Sequence, residues 1–167
     1  NALSEQYAIE RVLIEPLPWP GDMARPFDDT NRGNNRVEVA DAKTGDLLYS
    51  RDFSTVFGEW KSTAEANTLS RGFHESVRFP KPDRPVRVRI LKRDERNQFS
   101  VAWSVDVDPD AQDVVRAQGP APAKPIPIRI SGPSPHKVDL LVLGDGYTQA
   151  EMPRFEATVR RLAQHLF

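Results

Sequence analysis

Phe99-Ser100-Val101-Ala102-Trp103-Ser104-Val105-Asp106-Val107 is the longest strict apolar alternation in the chain, and its reading decides the fold. Side chains two apart share one face of a strand, so the period predicts a strand burying Phe99, Val101, Trp103, Val105 and Val107 together. Just before it, Val86, Val88 and Ile90 alternate with Arg87 and Arg89, and the polar stretch Arg93-Asp94-Glu95-Arg96-Asn97 separates the two runs. Two such runs across a polar turn predict a hairpin. Arg87, Arg89, Lys92 and Arg93 then read as a solvated strand face whose end Asp94 and Glu95 neutralise.

Working outward, Val37 and Val39 lead into Asp41-Ala42-Lys43-Thr44-Gly45-Asp46, and Leu47 and Tyr49 resume the pattern beyond it. Gly45 stands where a tight turn wants a left-handed residue, so this is a second predicted hairpin. Phe73, Glu75, Val77 and Phe79 form a further alternation, cut by Pro80, Pro82 and Pro85. Ser62-Thr63-Ala64-Glu65 has capping-box spacing and predicts a short helix to about Leu69. Short strands, turn signals and one small helix predict a β-sandwich over residues 1–108.

Composition changes after Asp108. Pro109, Pro120, Pro122, Pro125, Pro127, Pro133 and Pro135 crowd residues 109–135, which predicts an extended linker, with Ile126, Ile128 and Ile130 alternating as if along a sheet edge. Val138 to Leu143 is almost wholly apolar, as in a strand buried on both faces, and runs into Gly144-Asp145-Gly146. Thr148 and Glu151 repeat capping-box spacing, and Met152, Phe155, Val159, Leu162 and Leu166 share one helical face. Pro153 predicts a short kinked turn ahead of the main helix. The expected architecture is therefore mainly β: a sandwich with one short helix, a proline-rich linker, then at 136–167 the strand and helix that open a truncated α/β domain.

The 167 residues carry 23 Lys+Arg against 24 Asp+Glu, a net charge of −1 that offers no electrostatic footprint for nucleic acid. With no cysteine, disulfides, thiol nucleophiles and cysteine zinc sites are all excluded. No apolar run reaches the ~20 residues a membrane-spanning helix needs. Proline, 15 of 167, is nearly twice its usual share of ~5%. Asn1-Ala2 shows neither an initiator methionine nor a signal segment, which reads as an export peptide removed and a cloning remnant left. Phe167 closes a helical pattern with no capping glycine or proline after it, which reads as a stop inside a larger fold.

Few residues carry catalytic signal. His74-Glu75 starts like a zinc-peptidase helix, but the second imidazole one turn on is replaced by Arg78, and period two makes the segment a strand. His136 and His165 have no ligand at metal spacing. Gly144-Asp145-Gly146 follows a strand as a lipase-type nucleophile motif does, but Gly146 stands where the serine would be. The plainer reading is a sharp turn with Asp145 bonding local amides; the sharper one sets Asp145 and Tyr147 at a cleft edge beyond a strand end. Trp103 reads as core, whereas Trp19, between Pro18 and Pro20, is the better binding candidate, with packing over the sandwich end as its plainer role. Trp19, Asp145 and Tyr147 are thus the candidate surface residues, with no catalytic, cofactor-binding or metal-binding residue assigned.

Two blocks together resemble a known family. Gly33-Asn34-Asn35-Arg36-Val37-Glu38-Val39, Phe53-Ser54-Thr55-Val56-Phe57-Gly58-Glu59-Trp60 and Phe73-His74-Glu75-Ser76-Val77-Arg78-Phe79-Pro80 are similar to the N-terminal domain of the IgA-peptidase family of zinc metallopeptidases, peptidase family sixty-four. Lys137-Val138-Asp139-Leu140-Leu141-Val142-Leu143-Gly144-Asp145-Gly146-Tyr147-Thr148 resembles the opening of its catalytic domain. The resemblance implies an exported bacterial endopeptidase, secreted, periplasmic or at the cell surface, with a zincin-like catalytic domain. Its zinc helix has no counterpart here, so zinc is expected only in the catalytic remainder, and this chain is expected to bind no cofactor. Expected partners are that remainder and the parent's protein substrate; the stripe Phe155, Val159, Leu162 and Leu166, each worth roughly 1.5 to 3 kcal/mol when buried, is expected to pack on the sandwich, pair with a second copy or be partly disordered. The sandwich is expected to position substrate or assist folding; the alternative is a glycan- or surface-binding adhesion module using Trp19.

Overall fold

The computed structural model of the chain describes residues 5–119 and 124–167. They fall into two compact units, Asn1–Pro120 and Ala121–Phe167. Asn1-Ala2, Pro120 and Pro122, on which the readings of the amino end and of part of the linker rest, lie outside the described residues.

In the first unit β1 (Leu13–Ile14), β2 (Asn35–Asp41), β3 (Leu47–Phe53), β4 (Val86–Arg93), β5 (Phe99–Val107) and β6 (Val115–Arg116) build two sheets. The larger is antiparallel in the order β3-β2-β4-β5, and the smaller is the parallel pair β1-β6. The unit is mainly β, as the alternations require. Both hairpins form. Asp41 Oδ1 accepts the N–H groups of Lys43 and Thr44 at 2.7 and 3.0 Å, and Gly45 takes φ +80°. Asp94 Oδ1 does the same for Arg96 and Gln98 at 2.9 and 2.8 Å, with Asn97 at φ +59°. Short acidic side chains that hold backbone N–H groups are the reason aspartate starts such turns.

The core lies on one face of the large sheet, where Val37, Val39, Tyr49, Val86, Val88, Ile90 and Val107 are buried. Tyr7, Val12, Trp19, Val77 and Phe79 pack over them from largely irregular segments. Phe73, Val77 and Phe79 are half-buried while His74, Ser76 and Arg78 are exposed, so the alternation survives in burial, but the segment joins no ladder. A strand needs a neighbour for its amides, and three prolines between 80 and 85 remove donors at its end. Residues 109–117, expected to begin the linker, instead bury Val114 and carry β6. One hydrogen-bonding neighbour, β1, outweighs local proline content there.

The deciding strand departs from its sequence reading at one residue. Ile90 pairs with Trp103 but Leu91 pairs with Val101, which leaves Ala102 unpaired as a bulge. Because side chains alternate, one extra residue reverses the faces beyond it. Trp103, Val105 and Val107 therefore join the core, while Phe99 and Val101 turn to the opposite face and Val101 is 56% exposed. This corrects the expectation of five core residues. Phe99 instead lies between two guanidinium groups, Arg36 at 4.6 Å and Arg93 at 4.2 Å from the ring centroid. Arg36 also holds Asp52 bidentately at 2.5 and 3.1 Å, and Arg93 donates to the Gly33 carbonyl and Asn31 Oδ1, each at 2.9 Å.

Charge on this face is balanced across strands. Arg87 binds Asp106 at 2.7 and 2.9 Å, Arg89 lies 3.8 Å from Glu38, and Lys92, on the other face, pairs with Glu5. The expected neutralisation by Asp94 and Glu95 does not occur, because Asp94 is spent on its turn. The Ser62–Glu65 capping box is likewise absent. Ser62 and Thr63 hydroxyls donate backwards to the Glu59 and Trp60 carbonyls at 2.7 and 2.8 Å, and the Glu65 carboxylate takes the Trp60 indole N–H at 2.9 Å and Arg71 at 2.7 Å. Only a 3-10 turn, Ala64–Asn67, follows. The helix proper is α1 (Val56–Trp60), capped by Thr55 Oγ1, which accepts the Gly58 N–H at 3.0 Å. Trp60 packs there with Phe57 and Phe73 at centroid distances of 5.9 and 5.3 Å.

In the second unit, Val138 to Leu143 forms no strand, and Val138, Leu141 and Leu143 are 85%, 77% and 74% exposed. Ile126 and Ile130 are also exposed and lie on no sheet edge. Among the described residues neither segment has a strand to pair with, and apolar character without pairing does not make a strand. The helix α2 (Met152–Leu166) does form, preceded by a 3-10 turn at Gln149–Glu151. Pro153 sits in its first turn, where the missing N–H costs nothing.

Two measurements check this packing. Asp28 is nearly buried, and burial works to raise its carboxyl pKa, but bonds from the Thr30 hydroxyl, the Asp52 and Thr30 N–H groups and the charge of Arg51 outweigh it and bring the value down from 3.8 to about 2. The stabilisation, about 2 kcal/mol, is present above pH 3.8 and disappears as pH falls through 2. Asp28→Asn should flatten urea-unfolding stability against pH across that window; an unchanged slope contradicts the assignment. Deleting Ala102 should return Phe99 to the core face and strip Arg36 and Arg93 of their ring, lowering stability by about 2 kcal/mol or more in urea.

Candidate functional site

Catalysis and metal binding both need groups brought together, and each of the three histidines is described within its own unit. His74 Nε2 lies 3.0 Å from Glu10 Oε2, both exposed. His136 ends a 3-10 turn at Ser134–His136, and His165 Nδ1 lies 2.8 Å from the Arg161 carbonyl one turn back on α2. Among the described residues no group of three or more His, Asp or Glu could hold a metal ion. The residues at hand do not fit a catalytic zinc, whose imidazoles must converge.

Trp19 is half-buried, edge-on to Tyr49 at 5.8 Å and 88°. Gly21 also lies against the ring, where a Cβ would come within 2.4 Å of the indole nitrogen. The ring is thus committed to packing against Tyr49 and the Gly21 backbone. Trp103 stacks on Tyr7 at 6.2 Å and 23°, and Trp60 is buried.

The remaining candidates sit in the second unit, on the turn between the apolar segment and α2. Gly146 takes φ +79°, and the Tyr147 N–H closes the turn on the Gly144 carbonyl at 3.2 Å. Phe155, one turn into α2, covers this turn. Its ring lies 5.2 Å from that of Tyr147 and would be 3.4 Å from a Cβ on Gly144. The Glu151 carboxylate reaches back to accept the Thr148 N–H at 3.1 Å and hydroxyl at 2.8 Å, and those bonds lower its pKa. The helix start and the turn are thereby one rigid piece, as the Thr148–Glu151 spacing predicts.

Asp145 projects from that piece into solvent, with no hydrogen bond to its carboxylate among the described residues. The expected bond from local amides is therefore replaced by the Tyr147–Gly144 backbone bond. Tyr147 is half-buried under Phe155. The structure brings Asp145 and Tyr147 together on one turn of the second unit and places Trp19 in the first. What sequence reasoning missed is the grip of Phe155 on Gly144 and Tyr147; the signal was available as an aromatic one turn into the helix that follows a Gly-x-Gly-Tyr turn.

The turn can be tested by two glycine substitutions. Gly146→Ala places a side chain in the left-handed region and should cost about 1 kcal/mol, loosening the Tyr147–Phe155 contact. Gly144→Ala meets only ordinary contact with the Phe155 ring and should be close to neutral. Aromatic NMR shifts of Tyr147 and Phe155 read the difference.

Comparison with known proteins bears on both units. A family model described as Peptidase M64 N-terminus matches residues 1–104, and one described as IgA Peptidase M64 matches residues 126–167. No curated protein matches the chain. The first match covers well over half of the residues, including the whole bulged sheet up to Ser104, and the second covers the turn and α2, so the chain belongs to peptidase family M64.

Proposed function

We propose that this chain is the non-catalytic front portion of an exported zinc metalloendopeptidase. Residues 5–119 act as an accessory module that positions the protein substrate or assists folding of the catalytic domain, and 126–167 supply the first strand and helix of that domain. One observation carries the reading: the stretch matching the IgA peptidase model contains Val138–Leu143, apolar on both faces apart from Asp139 and lying in water. A run apolar on both faces is what a strand in the middle of a two-sided α/β sheet requires. The peptidase remainder is thus the partner this unit is built for, and zinc belongs to that remainder.

The chemistry in the parent would be a zinc-activated water attacking the peptide carbonyl. Among the described residues no group of three or more His, Asp or Glu is placed to hold that metal, and we assign these residues binding and fold. A glycan- or surface-binding role would draw on Trp19, whose ring is engaged by Tyr49 and Gly21.

Purified alone, the 167-residue chain should leave denatured casein uncut and carry no stoichiometric zinc by atomic absorption. The parent protein should cut casein and lose that activity to chelators. Chelator-sensitive digestion by the isolated chain sinks the proposal. Leu141→Asp in the parent should abolish activity while the separate unfolding transition of residues 5–119 keeps its midpoint.

A further inference from the structure

The two edges of the large sheet are treated differently. On β3 the outward Ser50 N–H donates to the Pro26 carbonyl at 2.9 Å and the Asp52 N–H to Asp28 Oδ2 at 3.0 Å, so the segment 26–28 seals that edge. On β5 the backbone of residues 99–107 bonds only to β4 among the described residues, and Ser104 and Asp106 are exposed. Alternate residues of an antiparallel edge strand turn both backbone groups away from the sheet, and only another extended backbone matches that row. Native sheets normally blunt such edges, as β3 does here.

We infer that β5, along Trp103–Val107, is a docking edge that takes up one extended peptide segment as an added strand. The inference rests on the reading of residues 5–119 as a substrate-positioning module and names the element that would do it. The bulge at Ala102 selects the occupant. Symmetric pairing with a second copy along the whole of β5 would bring two bulges together near the centre and break the ladder on both sides, whereas a single short peptide needs only the five regular residues beyond the bulge. Charge sets a further preference. Asp106 is already matched by Arg87, but Asp108, just past the edge, is exposed and has no cationic partner among the described residues, so a lysine or arginine at that end of the peptide is favoured.

The test is an NMR titration of the isotope-labelled chain with the blocked peptide acetyl-Val-Lys-Val-Lys-Val-Lys-Val-amide. Saturable shifts confined to Ser104, Val105, Asp106 and their β4 neighbours are expected, with about tenfold slower amide exchange on the outward residues. The same peptide N-methylated at alternate amides should leave them unmoved. An equal response to the methylated peptide, no response at millimolar concentration, or a dimer by light scattering with these amides already protected would each overturn the inference. If the edge stays silent while casein cleavage by the parent still depends on residues 5–119, the module reading stands and only this edge is removed from it.

Discussion

Ala102 sets the geometry of the first unit, because it is the one residue of β5 with no partner across the ladder. On its far side Trp103, Val105 and Val107 complete the core, and Tyr7 stacks on Trp103 to hold the covering segment. On its near side Phe99 emerges on the opposite face between Arg36 and Arg93. That ring makes it tolerable to bury Asp52, since Arg36 must hold both the aromatic face and the carboxylate at once. An unbulged strand would have buried Phe99 and left two guanidinium groups with one carboxylate and no apolar surface.

A second consequence follows for the sheet edges. The Pro26–Asp28 segment that caps β3 is itself fixed by the depressed Asp28 carboxylate, so the closed edge is held by the same charged network that Arg36 and Asp52 anchor. The open edge β5 has no segment bonded to its outward backbone among the described residues. One sheet thus carries one edge sealed by residues 26–28 and one that pairs only with β4 among the described residues.

The second unit is unfinished in another sense. Its turn and helix are locally complete, with Glu151 closing the first turn and Phe155 seated on Gly144, yet five of the six residues before them, all but Asp139, are apolar and exposed. Local hydrogen bonds can build a helix start by themselves, but a strand exists only as a relation between two segments. That difference in physics explains why α2 is formed and Val138–Leu143 is not, and it supports assigning the latter to a sheet shared with the peptidase remainder.

Period two, aspartate-led turns and the Thr148–Glu151 spacing are local properties, so the sequence by itself determined both hairpins, the start of α2, the mainly β character and the family. Tertiary structure alone decided the rest. Whether Phe99 faces the core depends on how β5 registers against β4, and no window of β5 contains that information. Whether Ser62 and Glu65 cap a helix depends on Trp60 and Arg71 competing for the carboxylate, and whether residues 115–116 form a strand depends on β1, a hundred residues earlier in the chain. The prolines that flank Trp19 exclude regular structure and made it the better binding candidate, with packing the plainer role, and it packs because Tyr49 meets it from elsewhere in the fold.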